Sequence, residues 1–394
     1  MDKFSRTPEH LPEQEPARKT GRSAGDAFAD LTELRIRELL FPAYIRPMLN
    51  DMAEKVRLLQ NENTFSFGFI TDTHTEDHIV HHCGSISGAS KYIPLSFIAH
   101  GGDITDGFLP KPDEFRLIRK AVNCLLEARV PLLYAKGNHD DNNFYGRGAR
   151  GNAIPDQAEN FTKDIELYNQ IMKFSEKDIT VGSRENLYYY YDDENAKVRV
   201  IVWNAFDLPW VDQDGEKLLS SMYNKGLNQN QLKWIATEAL DFSSKADSGA
   251  WGIILISHYV GTSIKNFDIL TGILDAYASG TTYFASGSFT HDDHRTKTTL
   301  TFPYAVSADF TGQTPGEVIA FISGDTHRDR MSTINGYLSI ECLNASLAKD
   351  HESAPVKTNF TRTETAWDIF TVDRVNRAIN MTRFGAGEDR ATRY

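Results

Sequence analysis

The stretch VPLLYAKGNHD, Val130–Asp140, runs from an apolar segment straight into three ligand-capable side chains. Val130–Lys136 is short, mostly apolar and carries a proline near its start, which reads as a buried strand. A glycine, an amide, an imidazole and a carboxylate then arrive together at its end. Two upstream stretches repeat the arrangement. FSFGFI (65–70) is apolar at alternate positions and runs into Thr71-Asp72-Thr73-His74, and PLSFIAHGGD (94–103) is an apolar strand that meets Gly101-Gly102-Asp103. Between them and Val130, residues 112–128 place Phe115, Ile118, Val122 and Leu125 on one helical face. Strand, crossover, strand, helix, strand implies a mostly parallel sheet. In such sheets ligands gather at the carboxyl ends of the strands.

The pattern continues downstream. WGIILISHYV (251–260) is a buried strand that delivers His258, and GEVIAFISGDTH (316–327) delivers Asp325 and His327. The strand ends thus collect Asp72, His74, Asp103, Asp106, Asn138, His139, Asp140, His258, Asp325 and His327. One D-x-H occurs often by chance. Five such sites, each closing an apolar strand, are not explained by chance. Asp72 and His74 are two apart, so in extended backbone both point to one side and one metal can take both. Carboxylate with imidazole suits Mn, Fe or Zn better than Ca. Two cations about 3.5–4 Å apart need a shared carboxylate and can then polarise both oxygens of an in-line displacement. Asp103, behind two glycines that allow a sharp turn, is the candidate bridge.

The order D-x-H, G-D-x-x-D-G, G-N-H-D, a later His, then G-x-x-H resembles the calcineurin-like metallophosphoesterase superfamily over roughly residues 64–330. The resemblance implies an α/β fold, a four-layer α/β/β/α sandwich with mixed sheets, holding two metal ions. Carried over position by position, Asp72, His74, Asp103 and His327 would hold the first metal, and Asp103, Asn138 and His258 the second. A hydroxide bridging the metals would attack phosphorus, and His139 would protonate the leaving group or stabilise the transition state. Asp140 is expected to orient that imidazole, and Asp106 to support the site rather than ligate. One position departs from the family pattern: Asp325 stands where a histidine is usual. Its oxygen either ligates, adding charge that favours Mn or Fe, or misses the second metal. Zinc is a further possibility for the two sites.

The totals bound the rest. The chain has 394 residues, 40% hydrophobic and 24% charged, with formal net charge −12. This is ordinary for a globular protein with a sizeable core. The acidic balance argues against grip on long nucleic acid, which needs clustered Lys and Arg, but not against a small phosphorylated substrate. Cys83, Cys124 and Cys342 are far apart and odd in number, which reads as reduced thiols in a cytoplasmic protein. No apolar run reaches the ~18–20 residues a membrane span needs.

Residues 1–25 are polar and expected to be a disordered tail. Residues 26–62 are expected to be helical, with Pro42 and Pro47 breaking or kinking the pattern. Residues 63–394 form the catalytic domain, in which 261–316, long and weakly patterned, are expected to be a lid or substrate-binding insertion. Tyr188–Tyr191 read as two-sided strand packing, and 366–384 as a terminal hairpin. His78, His81 and His82 read as a polar loop, and His291–His294 as an insertion motif without a metal. Arg328 is open to either a phosphate oxygen or a nearby carboxylate.

The reading is a metal-dependent phosphohydrolase acting on a phosphomonoester or phosphodiester. A nucleotide or cyclic-nucleotide phosphodiesterase is the alternative within enzymes. The alternative of another class is a non-catalytic metal-binding interaction module, against which the presence of His139 argues. Nothing in the sequence requires a particular oligomeric state.

Overall fold

A computed structural model describes residues 42–74, 78–142, 158–208, 211–213, 216–218, 221–292 and 298–394. The expected tail and the helical pattern before residue 42 lie outside these residues. Residues 44–394 form one compact unit. Its first helix, α1 (Ile45–Leu59), buries Ile45, Met48, Leu49, Met52, Ala53 and Val56 on one face. Pro47 falls in its first turn, where a backbone N–H has no intrahelical acceptor, so the helix tolerates it.

Two mixed sheets follow. The first contains β1 (Thr64–Ile70), β2 (Ile98–His100), β3 (Leu132–Tyr134), β15 (Ala366–Asp373), β16 (Ala378–Gly385) and β17 (Arg390–Arg393), in the order β17-β16-β15-β1-β2-β3. β1, β2 and β3 are parallel, as the strand–helix alternation predicts, and β15 joins β1 antiparallel. The second contains β4 (Thr180–Ser183), β5 (Tyr188–Asp193), β6 (Val198–Val202), β9 (Gly252–Ile256), β12 (Glu317–Ser323), β13 (Arg330–Ile334) and β14 (Tyr337–Glu341). Its centre, β6-β9-β12-β14, is parallel. Parallel strands covered on both faces read as continuous apolar runs, and every residue of β6 and β9 is buried. Two hairpins complete the strands among the described residues: the short β7 (Val211–Gln213) with β8 (Glu216–Leu218), and the long β10 (Thr282–Asp292) with β11 (Thr299–Asp309).

Helices cover the outer faces. α1 and α2 (Ile79–Ala89) pack on the first sheet, and α3 (Lys111–Leu126) packs beside α2. α4 (Asp164–Gln170) leads into the loops beside it. α5 (Gln229–Trp234) and α6 (Phe267–Ser279) share a core with the outward residues of the second sheet, Ile201, Trp203, Ile253, Leu255 and Phe321. The layers are therefore α/β/β/α.

Tyr188–Tyr191 show how the layers interlock. Tyr188 and Tyr190 stack near Trp234 on the helix side. Tyr189 and Tyr191 face the other sheet, where the Tyr189 hydroxyl donates to the Tyr134 carbonyl at 2.9 Å and Tyr191 meets the Phe97 ring. Period-two alternation sends neighbours to opposite faces, so this run packs two cores at once. The terminal hairpin is also present as β15–β16, extended by β17.

Within 261–316, expected to be a lid or substrate-binding insertion, the weakly patterned sequence forms regular elements. Its 13-residue helix α6 has Leu270, Ile273, Leu274 and Tyr277 fully buried. A helix that is apolar around most of its circumference shows no amphipathic period to read. Beyond α6 comes the long β10–β11 hairpin. His78, His81 and His82 are likewise the start of helix α2 rather than a loop.

A candidate metal centre at the strand ends

The strand ends do not continue as extended chain. Asp72, His74, Asp103, Asp325 and His327 all have positive φ, between 41° and 66°. Non-glycine residues avoid this region at roughly 1–2 kcal/mol each, and such conformations cluster where surrounding structure imposes them at functional sites. Close loop packing imposes them here. Gly102 has φ 102°, and a Cβ on it would lie 2.7 Å from both the Gly137 nitrogen and His258 Nδ1. A Cβ on Gly137 would lie 2.0 Å from Asp103 Oδ1. Only glycines let the two loops press together and push the Asp103 carboxylate to the centre.

The side chains then converge. Asp103 Oδ2 lies 3.4 Å from His74 Nε2 and 3.2 Å from His258 Nε2. Asp72 Oδ1 lies 3.6 Å from His74 Nε2 and 3.2 Å from His327 Nε2. Asn138 Oδ1 lies 3.1 Å from His258 Nε2. The Asn138 amide NH₂ faces the Met222 sulfur at 3.5 Å. Asp72, Asp103 and His258 are buried. Two sets of ligand atoms close up here, Asp72-His74-His327 and Asp72-Asp103-His258. A third, His74-Asp103-His139, overlaps them.

The electrostatics ask for cations. No Lys or Arg forms an ion pair with Asp72 or Asp103 among the described residues, although both are buried. Burial disfavours charge on His258, yet Asp103 and Asp72 lift it to about 10. Burial opposes charge on His74 too, and Asp106 and Asp72 still hold it well above the usual imidazole range. Both His74 ring nitrogens are buried and face carboxylates, Nε2 toward Asp72 and Asp103 and Nδ1 toward Asp106. Buried carboxylates and imidazoles in this state suit bound metal ions, so the donor set fits two such ions.

The family model for calcineurin-like phosphoesterases matches residues 65–261, half of the chain. The chain is a calcineurin-like phosphoesterase. The family brings with it metal-dependent phosphoester hydrolysis and two divalent ions. Among solved structures, a dimetal phosphatase from Danio rerio is 13% identical, with TM-score 0.54 over 84% of this chain and 99% of that one. GAP50, the anchor in the inner membrane complex of Plasmodium, is 12% identical, with TM-score 0.42 over 84% and 88%. At these identities the Danio rerio likeness concerns the fold alone, and the second carries no argument. No protein of curated function matches the chain.

Several supporting residues of this phosphoesterase differ from expectation. Asp140 does not sit on the His139 imidazole. Its Oδ2 accepts from Gly137 N (2.7 Å), Tyr134 Oη (2.7 Å) and Asp103 N (2.9 Å), and its Oδ1 accepts from Ile104 N (3.0 Å). It is a clamp between the Asp103 and Asn138 loops. The His139 ring is held through Nδ1 by the Asp106 carbonyl at 2.8 Å. The Asp106 carboxylate lies 3.1 Å from His74 Nδ1. One residue thereby contacts both imidazoles. The His139 amide donates to Asp103 Oδ1 at 2.8 Å.

Asp325 reaches only the edge of the cluster. Its Oδ1 lies 3.6 Å from His258 Nε2, and its Oδ2 lies 3.6 Å from Lys225 Nζ. Lys225 was not legible in the sequence. It sits in an irregular segment, with its ammonium 3.6 Å from the Tyr259 ring centroid. Asp350 was also missed; it meets His327 Nδ1 at 2.5 Å. Arg328 turns to Glu341 (3.7 Å) and His351 (2.9 Å). His291 Nε2 lies 3.0 Å from the Lys225 carbonyl, and His294 lies outside the described residues.

A buried network anchors the His327 loop. Arg383 holds Asp368 through Nε at 2.9 Å and Nη2 at 3.0 Å, and reaches Asp329 at 2.6 Å. Arg390 also pairs with both aspartates at 2.6 Å. Asp329 follows His327 by two residues, so this bidentate pairing ties the last motif to the first sheet. The three cysteines are buried and form no disulfide among the described residues. No helix among the described residues is long and apolar enough to cross a membrane.

Proposed function

We propose that the protein hydrolyses a small phosphate ester, monoester or diester, at a pair of Mn or Fe ions, with zinc as an alternative occupant. The observation that carries this reading is the position of the Asp103 carboxylate between His74 and His258. Asp72, His74, Asp103 and His327 would hold one ion, and Asp103, Asn138 and His258 the other. Asp325 would contribute at the edge of the second. Bound metals supply an acidified water and stabilise negative charge on the phosphoryl oxygens.

The chain's own groups do the rest. Asp106 accepts from His139 Nδ1, which leaves Nε2 to carry a proton toward the leaving oxygen. Nε2 lies 3.9 Å from Asp103 Oδ2, at the rim of the cluster. Lys225 adds positive charge beside Asp325 and is placed to receive a phosphate oxygen. Net charge −12 supports a small ester over a nucleic-acid polymer.

The test is hydrolysis of a chromogenic phosphate monoester and a diester by chelator-stripped protein restored separately with Mn, Fe, Zn and Mg. Activity restored by metal and lost in His139→Ala supports the reading, and the monoester-to-diester ratio assigns the substrate class. Metal binding without hydrolysis of either ester overturns it in favour of a binding module.

A further inference from the structure

A second group of ligand-capable side chains meets away from the metal centre, at the start of α2. His78 precedes this helix and His81 lies in its first turn. Both face Glu364, just before β15. One ligand atom from each of the three lies within 4.8 Å of the others. The Glu364 side chain is only 3% exposed. Its Oε2 accepts the Phe360 amide at 3.0 Å. Its Oε1 is buried, makes no hydrogen bond among the described residues, and faces His81 Nδ1 at 3.3 Å. The Phe360 ring walls the group, with centroids 5.4 Å from His78 and 6.4 Å from His81.

The chemistry selects an occupant. Burial disfavours charge on Glu364, yet the neighbouring His81 and Tyr44 hold its carboxyl below the usual range. A buried carboxylate needs a positive partner. A simple ion pair would use one protonated imidazole, and a second protonated imidazole beside it would repel. A cation takes both imidazoles in their neutral form. Zinc bonds to nitrogen and oxygen of about 2.0–2.1 Å in tetrahedral geometry place neighbouring ligand atoms about 3.4 Å apart, close to the observed 3.3 Å. Two imidazoles disfavour magnesium and calcium, which prefer oxygen.

We infer that His78, His81 and Glu364 form a third cation site, separate from the two-metal centre, that takes a zinc-class divalent ion with solvent completing its shell. The inference does not rest on the phosphoesterase reading.

The test counts zinc in full-length protein dialysed against micromolar free zinc. Five proteins are compared: the parent, His81→Asn, Glu364→Gln, and Asp72→Asn/Asp103→Asn with and without His81→Asn. Glu364→Gln keeps an acceptor for the Phe360 amide, so it covers the case in which His81→Asn fails to fold; circular dichroism checks each. The expected result is loss of about one equivalent in His81→Asn and in Glu364→Gln, with ester hydrolysis retained. The protein lacking the two-metal centre should keep about one equivalent, which the added His81→Asn removes. Equal zinc content with and without His81 and the Glu364 carboxylate overturns the site, whatever happens to hydrolysis. Loss of hydrolysis in Asp72→Asn/Asp103→Asn reports on the other centre alone.

Discussion

Asp140→Asn separates two roles for the last residue of the G-N-H-D motif. In the structure the carboxylate accepts four hydrogen bonds, three on Oδ2 and one on Oδ1. The best-placed amide keeps its oxygen on the three-donor side and turns its NH₂ against the Ile104 N–H. One buried donor is then left without an acceptor, at about 1–3 kcal/mol. The other three lose charge assistance at roughly 0.5–1 kcal/mol each. Relief of repulsion between Asp140 and Asp103 offsets part of this. The net loss is on the order of 3–4 kcal/mol, a large fraction of a typical domain's stability. At a few degrees per kcal/mol or less for a chain this size, the melting temperature should fall by about 5–10 °C. Calorimetry on metal-loaded protein measures it. The pH profile of kcat for the folded fraction should keep its shape, because Asp140 does not touch the His139 ring. A melting temperature unchanged within a degree, with a shifted pH limb and a hundredfold loss in kcat, would refute this reasoning and make Asp140 the orienter of His139.

Three further outcomes are expected. His139→Gln should lower kcat by roughly 10²–10⁴ on an ester with a poor leaving group, and much less on a nitrophenyl ester whose oxygen needs no proton; equal losses on both would exclude the acid role. Lys225→Met should raise KM about tenfold, the worth of one charge-assisted contact of roughly 1.5 kcal/mol, with kcat little changed; an unchanged KM in steady-state kinetics would place substrate elsewhere. His100 is buried neutral, its pKa pushed down to about 3 chiefly by burial, and its Nδ1 accepts the Gly102 amide at 3.1 Å. The unfolded chain takes up this proton near 6.5 and the folded chain does not, so stability should be full above that pH. It should fall as pH drops toward 3, by up to about 1.4 kcal/mol per pH unit. His100→Asn retains an acceptor and should flatten that slope in denaturant titrations at pH 4–7; an identical slope would assign the acid sensitivity to other groups.

The parts of the fold that were legible share one property: local pattern and tertiary role agree. β1, β2 and β3 are apolar runs closed by polar motifs, and α3 shows its buried face at helical spacing. Tyr188–Tyr191 also read correctly, because a strand packed on both faces needs no polar alternation. α6 failed for the opposite reason. FDILTGILDAYAS is apolar on most sides because it lies between a sheet and a hairpin, so no period marks it. His81 and His82 looked like loop residues because α2 opens on His78, whose side chain makes no capping hydrogen bond, and the two histidines interrupt the apolar pattern of its first turns. In the site, residues carried by strand ends were legible from order and spacing. Lys225, Asp350 and Glu364 were not, since each arrives from an irregular segment with no motif around it. Asp140 was assigned to the imidazole next to it in sequence, while the turn sends its carboxylate back to the Asp103 loop.

The central claim is that Asp103 is shared between two adjacent metal ions. Electron paramagnetic resonance of stripped protein titrated with Mn(II) tests it most directly, with His81→Asn as the background so that only the strand-end centre loads. At about two equivalents the account predicts a spin-coupled pair signal, converted in Asp103→Asn to the six-line spectrum of isolated Mn(II). Isolated-ion spectra at every loading of the parent centre would contradict it.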